Sequence, residues 1–283
     1  MRPAATAGPM FVGCMAETFL ILLAGGVMLA AAVSDPEAVT LHWLRLAGII
    51  ALSVCGLGVF FYLRRGPEAD VPVFFRRIQL GLIVATVLAI LGQLAFVQVA
   101  WRRTQRVFAG GAFVLAVLAG VNVLHELMVA RGTAVRLGPK PLAVGLQTLA
   151  CAGVAAVSGV ALMDMLLGHA YLTASKMTIA PFRRLNGALA AALAIRVVSA
   201  VGLVLWLQSR RPVEMLWGIY GLYAGTRWLV GLVVPAVFVY MAHDCIKRRS
   251  TQSATGILYV AGVLLFLGEI VALYLVRETG LPF

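Results

Sequence analysis

The stretch Ile78–Ala100, which reads IQLGLIVATVLAILGQLAFVQVA, contains no charged side chain. A helix needs about 20 mostly apolar residues to cross the hydrocarbon core of a bilayer, so this stretch predicts a transmembrane helix. Working outward from it, seven further apolar runs of similar length are separated by short polar or basic turns. The eight predicted spans are Phe11–Val33, Trp43–Leu63, Ile78–Ala100, Val107–Ala130, Leu142–Leu167, Gly187–Leu207, Met215–Met241 and Thr255–Val276.

The composition of the whole chain agrees with these spans. Hydrophobic residues make up 62% of the chain and charged residues 12%, whereas an ordinary soluble domain has roughly 45–50% and about 25%. These proportions exclude a water-soluble globular protein, a disordered chain and a disulfide scaffold. We expect an all-α fold, a polytopic transmembrane bundle of about eight spanning helices with short loops. Residues 1–283 are expected to form a single integral membrane domain.

Charge and cysteine usage narrow the expected partners. The 23 Lys and Arg residues outnumber the 11 Asp and Glu residues, giving a net charge of +12. In so apolar a chain this excess predicts arginines beside lipid phosphates rather than a nucleic-acid partner. The four cysteines stand singly, without zinc-ligand spacing, so no metal site is expected. No predicted connection can hold a soluble domain, so we expect membrane lipid and other protein subunits as partners.

The distribution of arginines gives a weak indication of orientation. Lys and Arg are divided almost equally between the two predicted faces. The second connection nevertheless carries Arg64, Arg65, Arg76 and Arg77, whereas the first has only Arg45 beside it. The positive-inside rule therefore favours a multi-pass protein of the cell membrane with both termini in the cytoplasm.

Two features of the apolar runs bear on packing. The first run resembles a signal peptide, but Glu17 interrupts it, so we expect it to be retained as the first helix. The fifth run carries Cys151, Ala155 and Gly159 at four-residue spacing. Small residues at this spacing allow another helix to approach closely within a membrane.

Ionisable side chains within the predicted spans are the main functional signal. Each costs about 2.5–3.5 kcal/mol at the bilayer centre on insertion scales, so such residues are rarely idle. We expect Arg196 and Arg227 to be buried against carboxylates, with Asp164 and Glu269 as their partners. Such ion pairs either fix helix register or form a polar pathway for protons or substrate. The candidates for a quinone or proton pathway are Glu17, His125, Glu126, Asp164, Arg196, Arg227 and Glu269.

Glu17 and the adjacent pair His125-Glu126 are predicted to approach the same membrane face from different helices. A histidine beside a carboxylate can titrate near physiological pH. Such a group can accept protons from a quinol, and a proton-coupled carrier has the same requirement. The alternative interpretation is that these are helix-end residues that reach the headgroups.

A second candidate site lies at the opposite face, and its residues are His42, His169, Tyr171, Lys176 and His243. The segment that follows Leu167 is predicted to be a loop that begins with Gly168-His169 and continues into a hydroxyl-rich stretch. These side chains can form a headgroup site, a quinone site or a docking surface. Alternatively, the segment is a solvated loop that caps the next helix.

Cofactor chemistry follows from the same residues. Two histidines at matched depth can ligate a haem iron axially, but the chain has no C-x-x-C-H sequence and no spacing that supports haem. Quinone is therefore a candidate cofactor, and b-type haem is not expected. No soluble-enzyme motif is present, which favours a non-catalytic or quinone-site membrane subunit over a stand-alone enzyme.

The length of the chain, its eight predicted helices and the late Leu267-Gly268-Glu269 resemble the quinone-interacting membrane anchor subunits of respiratory oxidoreductases, of the dimethyl-sulfoxide-reductase anchor or NrfD type. This resemblance covers topology only, and no functional residue is carried over from it. It implies an electron-transfer membrane subunit that interacts with quinone. The alternatives are a proton-coupled transporter that uses the intramembrane carboxylates and arginines, and a membrane scaffold or assembly factor.

Overall fold

The computed structural model describes residues 10–35, 37–64, 73–130, 140–173, 178–208, 218 and 220–279. In these ranges the chain forms helices and no strand. Eight helices of this part are long and apolar enough to span a bilayer, which confirms the predicted polytopic bundle. They are α1 Met10–Val33, α2 Leu41–Arg64, α3 Val73–Gln98, α4 Arg102–Ala130, α5 Lys140–Thr173, α6 Ala180–Gln208, α7 Gly221–Lys247 and α8 Thr251–Thr279.

Successive helices cross the bundle in alternating directions because short connections join them. We call the side where α1 begins the N-terminal face and the side where it ends the opposite face. Contacts at the opposite face agree with this alternation. Arg106, near the start of α4, donates to the carbonyl of Ser34 at 2.7 Å, and Arg184, near the start of α6, lies 3.8 Å from Asp35.

The fifth span differs from its prediction, which ended it at Leu167. The helix α5 instead continues to Thr173. A Cβ atom on Gly168 would lie 2.7 Å from Oγ1 of Thr255 and 3.0 Å from the ring of Phe182. The glycine is therefore a packing position inside the helix, where the missing side chain admits two neighbours, and not the start of a loop.

The seventh span also differs, because α7 ends at Lys247 and not at Met241; the predicted start at Met215 lies outside the described residues. A π turn over Leu229–Val233 interrupts the helix, and the amide of Val234 donates to the carbonyl of Leu229 five residues earlier. Pro235 has no amide hydrogen, so it cannot donate the usual α-helical hydrogen bond to the carbonyl four residues earlier. The π turn occurs next to this missing hydrogen bond. The extra residue rotates Arg227 by about 100° relative to the rest of α7.

The helices α1 and α5 lie at the centre of the bundle, with 72% and 61% of their spans buried. Their backbones meet at Gly26 and Gly159. A Cβ atom on Gly26 would lie 1.7 Å from the carbonyl oxygen of Ala155, and one on Gly159 would lie 2.0 Å from the carbonyl carbon of Gly26. The close approach predicted from the small residues of the fifth span is therefore confirmed.

Replacing Gly26 with Ala is expected to lower the free energy of unfolding by about 3 kcal/mol, because α1 and α5 must move apart to admit the methyl group. Gly56→Ala in α2 is the matched control, since a Cβ atom there meets nothing within 4 Å. Thermal unfolding of the two purified variants measures the difference. Equal midpoints for both variants would contradict the close crossing.

Candidate functional site

Two buried arginines share one buried glutamate between α6, α7 and α8. Nη2 of Arg196 donates to Oε2 of Glu269 at 2.9 Å, and its Nε lies 3.3 Å from both carboxylate oxygens. Nη2 of Arg227 lies 3.1 Å from Oε1, an ion-pair contact without hydrogen-bond alignment. All three side chains are at most 1% exposed. We call Arg196, Arg227 and Glu269 the arginine–glutamate cluster.

Glycines make the space that this cluster occupies. A Cβ atom on Gly153 of α5 would lie 2.7 Å from Cδ of Arg196. The helices α7 and α8 touch at Gly231 and Gly268, where a Cβ atom on Gly231 would lie 2.6 Å from Cα of Gly268. A large side chain at these positions would push the helices apart, so the glycines allow two guanidinium groups to be enclosed.

The expected division of the arginines between two carboxylates is wrong, because Glu269 contacts both of them. Asp164 instead accepts a hydrogen bond from Nδ2 of Asn186 at 3.0 Å. Asn186 precedes Arg196 by ten residues on α6, which separates them by about 15 Å along the helix axis. Asp164 therefore lies near the opposite face, at a different depth from both arginines.

Asp164 belongs to a polar network that joins three helices. Asn186 of α6 bonds Asp164 of α5 through Nδ2, and its Oδ1 lies 3.1 Å from Nδ1 of His243 on α7. Asp164 and Asn186 are fully buried and His243 is half-buried. In the described part of the chain, Oδ1 of Asp164 has no hydrogen-bond partner. We call these three residues the Asp164 network.

A groove of about 410 Å³ runs between α6 and α7 and ends at this network. His243 lines it together with Tyr240, which lies one turn earlier on α7 and is 74% exposed. The rest of the lining is apolar and consists of Gly187, Ala190, Leu193, Ala194, Val197, Val198, Ala236 and Val239. Several of these side chains are exposed on the outside of the bundle, so the groove opens towards lipid.

Glu17 belongs to a separate network at the N-terminal face. Its Oε1 accepts from Nε2 of Gln79 at 3.0 Å, and Nδ2 of Asn122 lies 3.1 Å from both Oε1 of Gln79 and the carbonyl oxygen of Phe75. The ring of His125 lies 5.8 Å from the ring of Phe75. Glu126 is buried on the same turn of α4 as His125. Glu17, His125 and Glu126 thus approach one face, as expected, and Glu17 and His125 lie at opposite ends of this chain of contacts.

The predicted interfacial site is only partly assembled. His42 and His169 are exposed at helix ends, and Lys176 lies outside the described residues. Tyr171 stacks on Phe182 with ring centroids 5.2 Å apart, and its hydroxyl donates to a backbone carbonyl of the following segment. His243 contacts the buried Asn186, which joins it to Asp164 from the other predicted set.

A search confined to ionisable residues does not find the amides that join these networks. Asn186 connects Asp164 to His243, while Gln79 and Asn122 connect Glu17 to the start of α3. The available signal is an amide side chain within an apolar run, since a buried polar group needs a hydrogen-bond partner. Only the helix packing identifies that partner.

The fold and these clusters define a multi-pass helical membrane protein with buried polar networks near both faces and a buried ion-pair cluster. Comparison of the chain with protein-family models, with curated proteins and with solved structures finds no match.

Proposed function

We propose that the protein is an integral membrane subunit of a respiratory or electron-transfer complex, and that it binds an isoprenoid quinone in the groove between α6 and α7. The observation that carries this proposal is the end of the groove, where an apolar, lipid-facing space meets His243. A hydrogen-bonded amide connects His243 to a buried carboxyl group. Quinone has the matching chemistry, an apolar body with polar oxygens at the ring.

The size and lining of the groove fit this class of ligand. Small-molecule sites commonly enclose about 300–1,000 Å³ and are mostly apolar with a few polar groups. The groove has about 410 Å³ and is lined mainly by Ala, Val and Leu. Its opening towards lipid allows a hydrophobic ligand to enter from the bilayer without passing through water.

Two polar side chains at the groove can contact the ring oxygens of the ligand. Tyr240 and His243 lie three residues apart on one face of α7. Because the amide oxygen of Asn186 can only accept, Nδ1 of His243 is the donor in their contact. The neutral ring then offers Nε2 as an acceptor. The hydroxyl of Tyr240, a side chain that is 74% exposed and lines the groove, can donate to a ligand there.

Proton exchange follows from this arrangement. A quinol hydroxyl that bonds Nε2 of His243 can transfer its proton to the imidazole, and the Asn186–Asp164 pair orients the ring. His243 precedes the end of α7 by four residues, which corresponds to about 6 Å of helix. A proton on His243 therefore lies close to the aqueous phase. The electrons pass to a redox group on a partner subunit.

The proposal also includes the membrane in which the chain lies and the side on which its termini lie. We place the chain in the cell membrane with both termini in the cytoplasm, a placement supported by the arginines of the connection between α2 and α3. Reporter fusions at the two termini test this orientation.

A proton-coupled transporter is the second candidate, and the arginine–glutamate cluster favours it. Transporters place charged side chains deep in the membrane on helices that are locally irregular, and Arg227 lies two residues before the π turn of α7. Proton flux into proteoliposomes in the absence of any electron donor would favour this function.

Filling the groove tests the quinone site. Ala194→Phe is expected to weaken binding of decylubiquinone at least about tenfold, a loss of about 1.4 kcal/mol, because the phenyl ring occupies the ligand space. Ala191→Phe on the same helix is the matched control, since Ala191 is exposed and does not line the groove. Binding is measured by extracting the ligand retained by the protein in nanodiscs. Equal affinity of the two variants would contradict the site.

A further inference from the structure

The groove between α6 and α7 has the length of one leaflet of a bilayer. On α6 its lining runs from Gly187 to Val198, which corresponds to about 16 Å of helix. Half of the hydrocarbon core of a bilayer is about 15 Å. The groove opens towards lipid, and its polar end lies near the opposite face. The acyl chain of a lipid in that leaflet therefore lies at the same depth as the groove.

Basic side chains lie beyond the polar end of the groove, at the level of a lipid headgroup. Arg183 precedes the lining residue Gly187 by four positions on α6, and Lys247 follows the lining residue His243 by four positions on α7. Residues four apart lie on the same face of a helix. Arg183 and Lys247 thus continue the two walls of the groove by about 6 Å towards the opposite face. Both residues are exposed.

The helix ends at this mouth carry an excess of positive charge. Residues 178–186 and 241–250 contain one acidic residue, Asp244, and five basic residues, which are Arg183, Arg184, Lys247, Arg248 and Arg249. Arg248 lies 2.9 Å from Asp244, and Arg184 lies 3.8 Å from Asp35 of the first connection. These two ion pairs leave the positive charges of Arg183 and Lys247 at the mouth, where an anionic group is complementary to them.

We propose that an anionic phospholipid binds at the groove, with its phosphate between Arg183 and Lys247 and one acyl chain along the apolar lining. Arginine and lysine near a membrane surface attract anionic headgroups, and a lining of Ala, Val and Leu matches a hydrocarbon chain. A soluble phosphate can make the first interaction but not the second. One consequence rests on the proposed function: the lipid occupies the space of the quinone, so anionic lipid limits the access of quinone to His243.

Native mass spectrometry of the purified full-length chain tests the lipid site. The chain is released from detergent micelles that contain equimolar phosphatidylglycerol and phosphatidylcholine with the same acyl chains. We expect retained phosphatidylglycerol to exceed phosphatidylcholine at least about tenfold, because each basic side chain near an anionic headgroup contributes about fivefold in affinity. An excess of glycerol 3-phosphate should leave the lipid in place. Equal retention of the two lipids, or displacement by glycerol 3-phosphate, would overturn the proposal.

The basic residues at the mouth are tested by a double variant. Arg183→Gln combined with Lys247→Gln should reduce the preference for phosphatidylglycerol to about twofold or less, because the two charges nearest the phosphate are removed. Arg45→Gln combined with Arg103→Gln is the matched control, since these exposed arginines lie near the same face on α2 and α4. An unchanged preference in the first double variant, or an equal loss in both, would contradict a phosphate site between α6 and α7.

The position of the acyl chain is tested by filling the groove. Ala194→Phe should lower the retention of phosphatidylglycerol, whereas Ala191→Phe, outside the groove, should not. Equal retention by these two variants would place the chain elsewhere and overturn the proposal.

Added decylubiquinone separates this inference from the proposed function. Displacement of phosphatidylglycerol by the quinone supports a groove that both ligands share. If quinone binds while the lipid stays in place, the acyl chain does not lie in the groove and the inference fails. If no quinone binds but the lipid preference depends on Arg183 and Lys247, the lipid site stands and the proposed function fails.

Discussion

Glu269→Gln is expected to lower the free energy of unfolding by about 3–5 kcal/mol, the usual cost of removing one partner from a buried ion pair. Glu269 is the acceptor for Arg196 and the ion-pair partner of Arg227, and all three side chains are enclosed. Glutamine preserves the shape of the side chain but removes the carboxylate charge that both buried cations contact. The loss is therefore electrostatic and not a consequence of altered packing.

Glu278→Gln is the matched control because this glutamate lies on the same helix, beyond the membrane span of α8. Loss of an exposed or half-exposed charge near a helix end usually changes stability by about 1 kcal/mol or less. Thermal unfolding in nanodiscs measures both variants. If Glu269→Gln unfolds at the wild-type midpoint, the two guanidinium groups do not depend on this carboxylate.

Under the proposed function, His243→Gln is expected to slow quinol oxidation by about 10²–10⁴-fold, the usual contribution of a general acid or base. The amide of glutamine reaches the position of Nε2 in histidine and can still bond the quinol hydroxyl, so binding in the groove is preserved. It cannot accept a proton from the quinol. We therefore expect kcat to fall while KM for quinol changes little, which separates a proton-transfer role from a structural one.

The measurement uses the complex that the proposed function requires, purified with its partner subunits, and quinol oxidation is followed spectroscopically. His125→Gln is the corresponding change at the N-terminal face, where the Glu17 network lies. Loss of activity in His125→Gln with full activity in His243→Gln would move the quinone chemistry to that face. Full activity in both variants would remove His125 and His243 from the proton pathway.

The spans could be predicted from the sequence because each is a local property of a run of residues. An apolar run such as Ile78–Ala100 cannot remain in water, and in lipid its backbone must satisfy its own hydrogen bonds as a helix. The exact ends of the helices were harder to predict from the sequence. Gly168 reads as a helix terminus, but in the bundle it is a contact with Thr255 and Phe182, which lie far away along the chain.

The candidate sites were predictable as a set of residues but not as an arrangement. The cost of burying a charge indicates that Arg196 and Arg227 need an acidic partner, and this follows from the sequence alone. The choice of Glu269 over Asp164 does not, because it depends on which helices cross at which depth. The amide of Asn186 joins Asp164 to His243 only because α5, α6 and α7 pack side by side.

The sequence by itself determined that this chain forms a helical membrane bundle with buried charges, because hydrophobicity and the cost of desolvation act on each segment separately. The tertiary structure decided which side chains meet. The π turn before Val234 sets the direction of Arg227 relative to the rest of α7, and Gly231 and Gly268 bring α7 against α8. Both effects depend on contacts between segments distant in sequence, where a single backbone turn or a missing side chain changes which residues face each other.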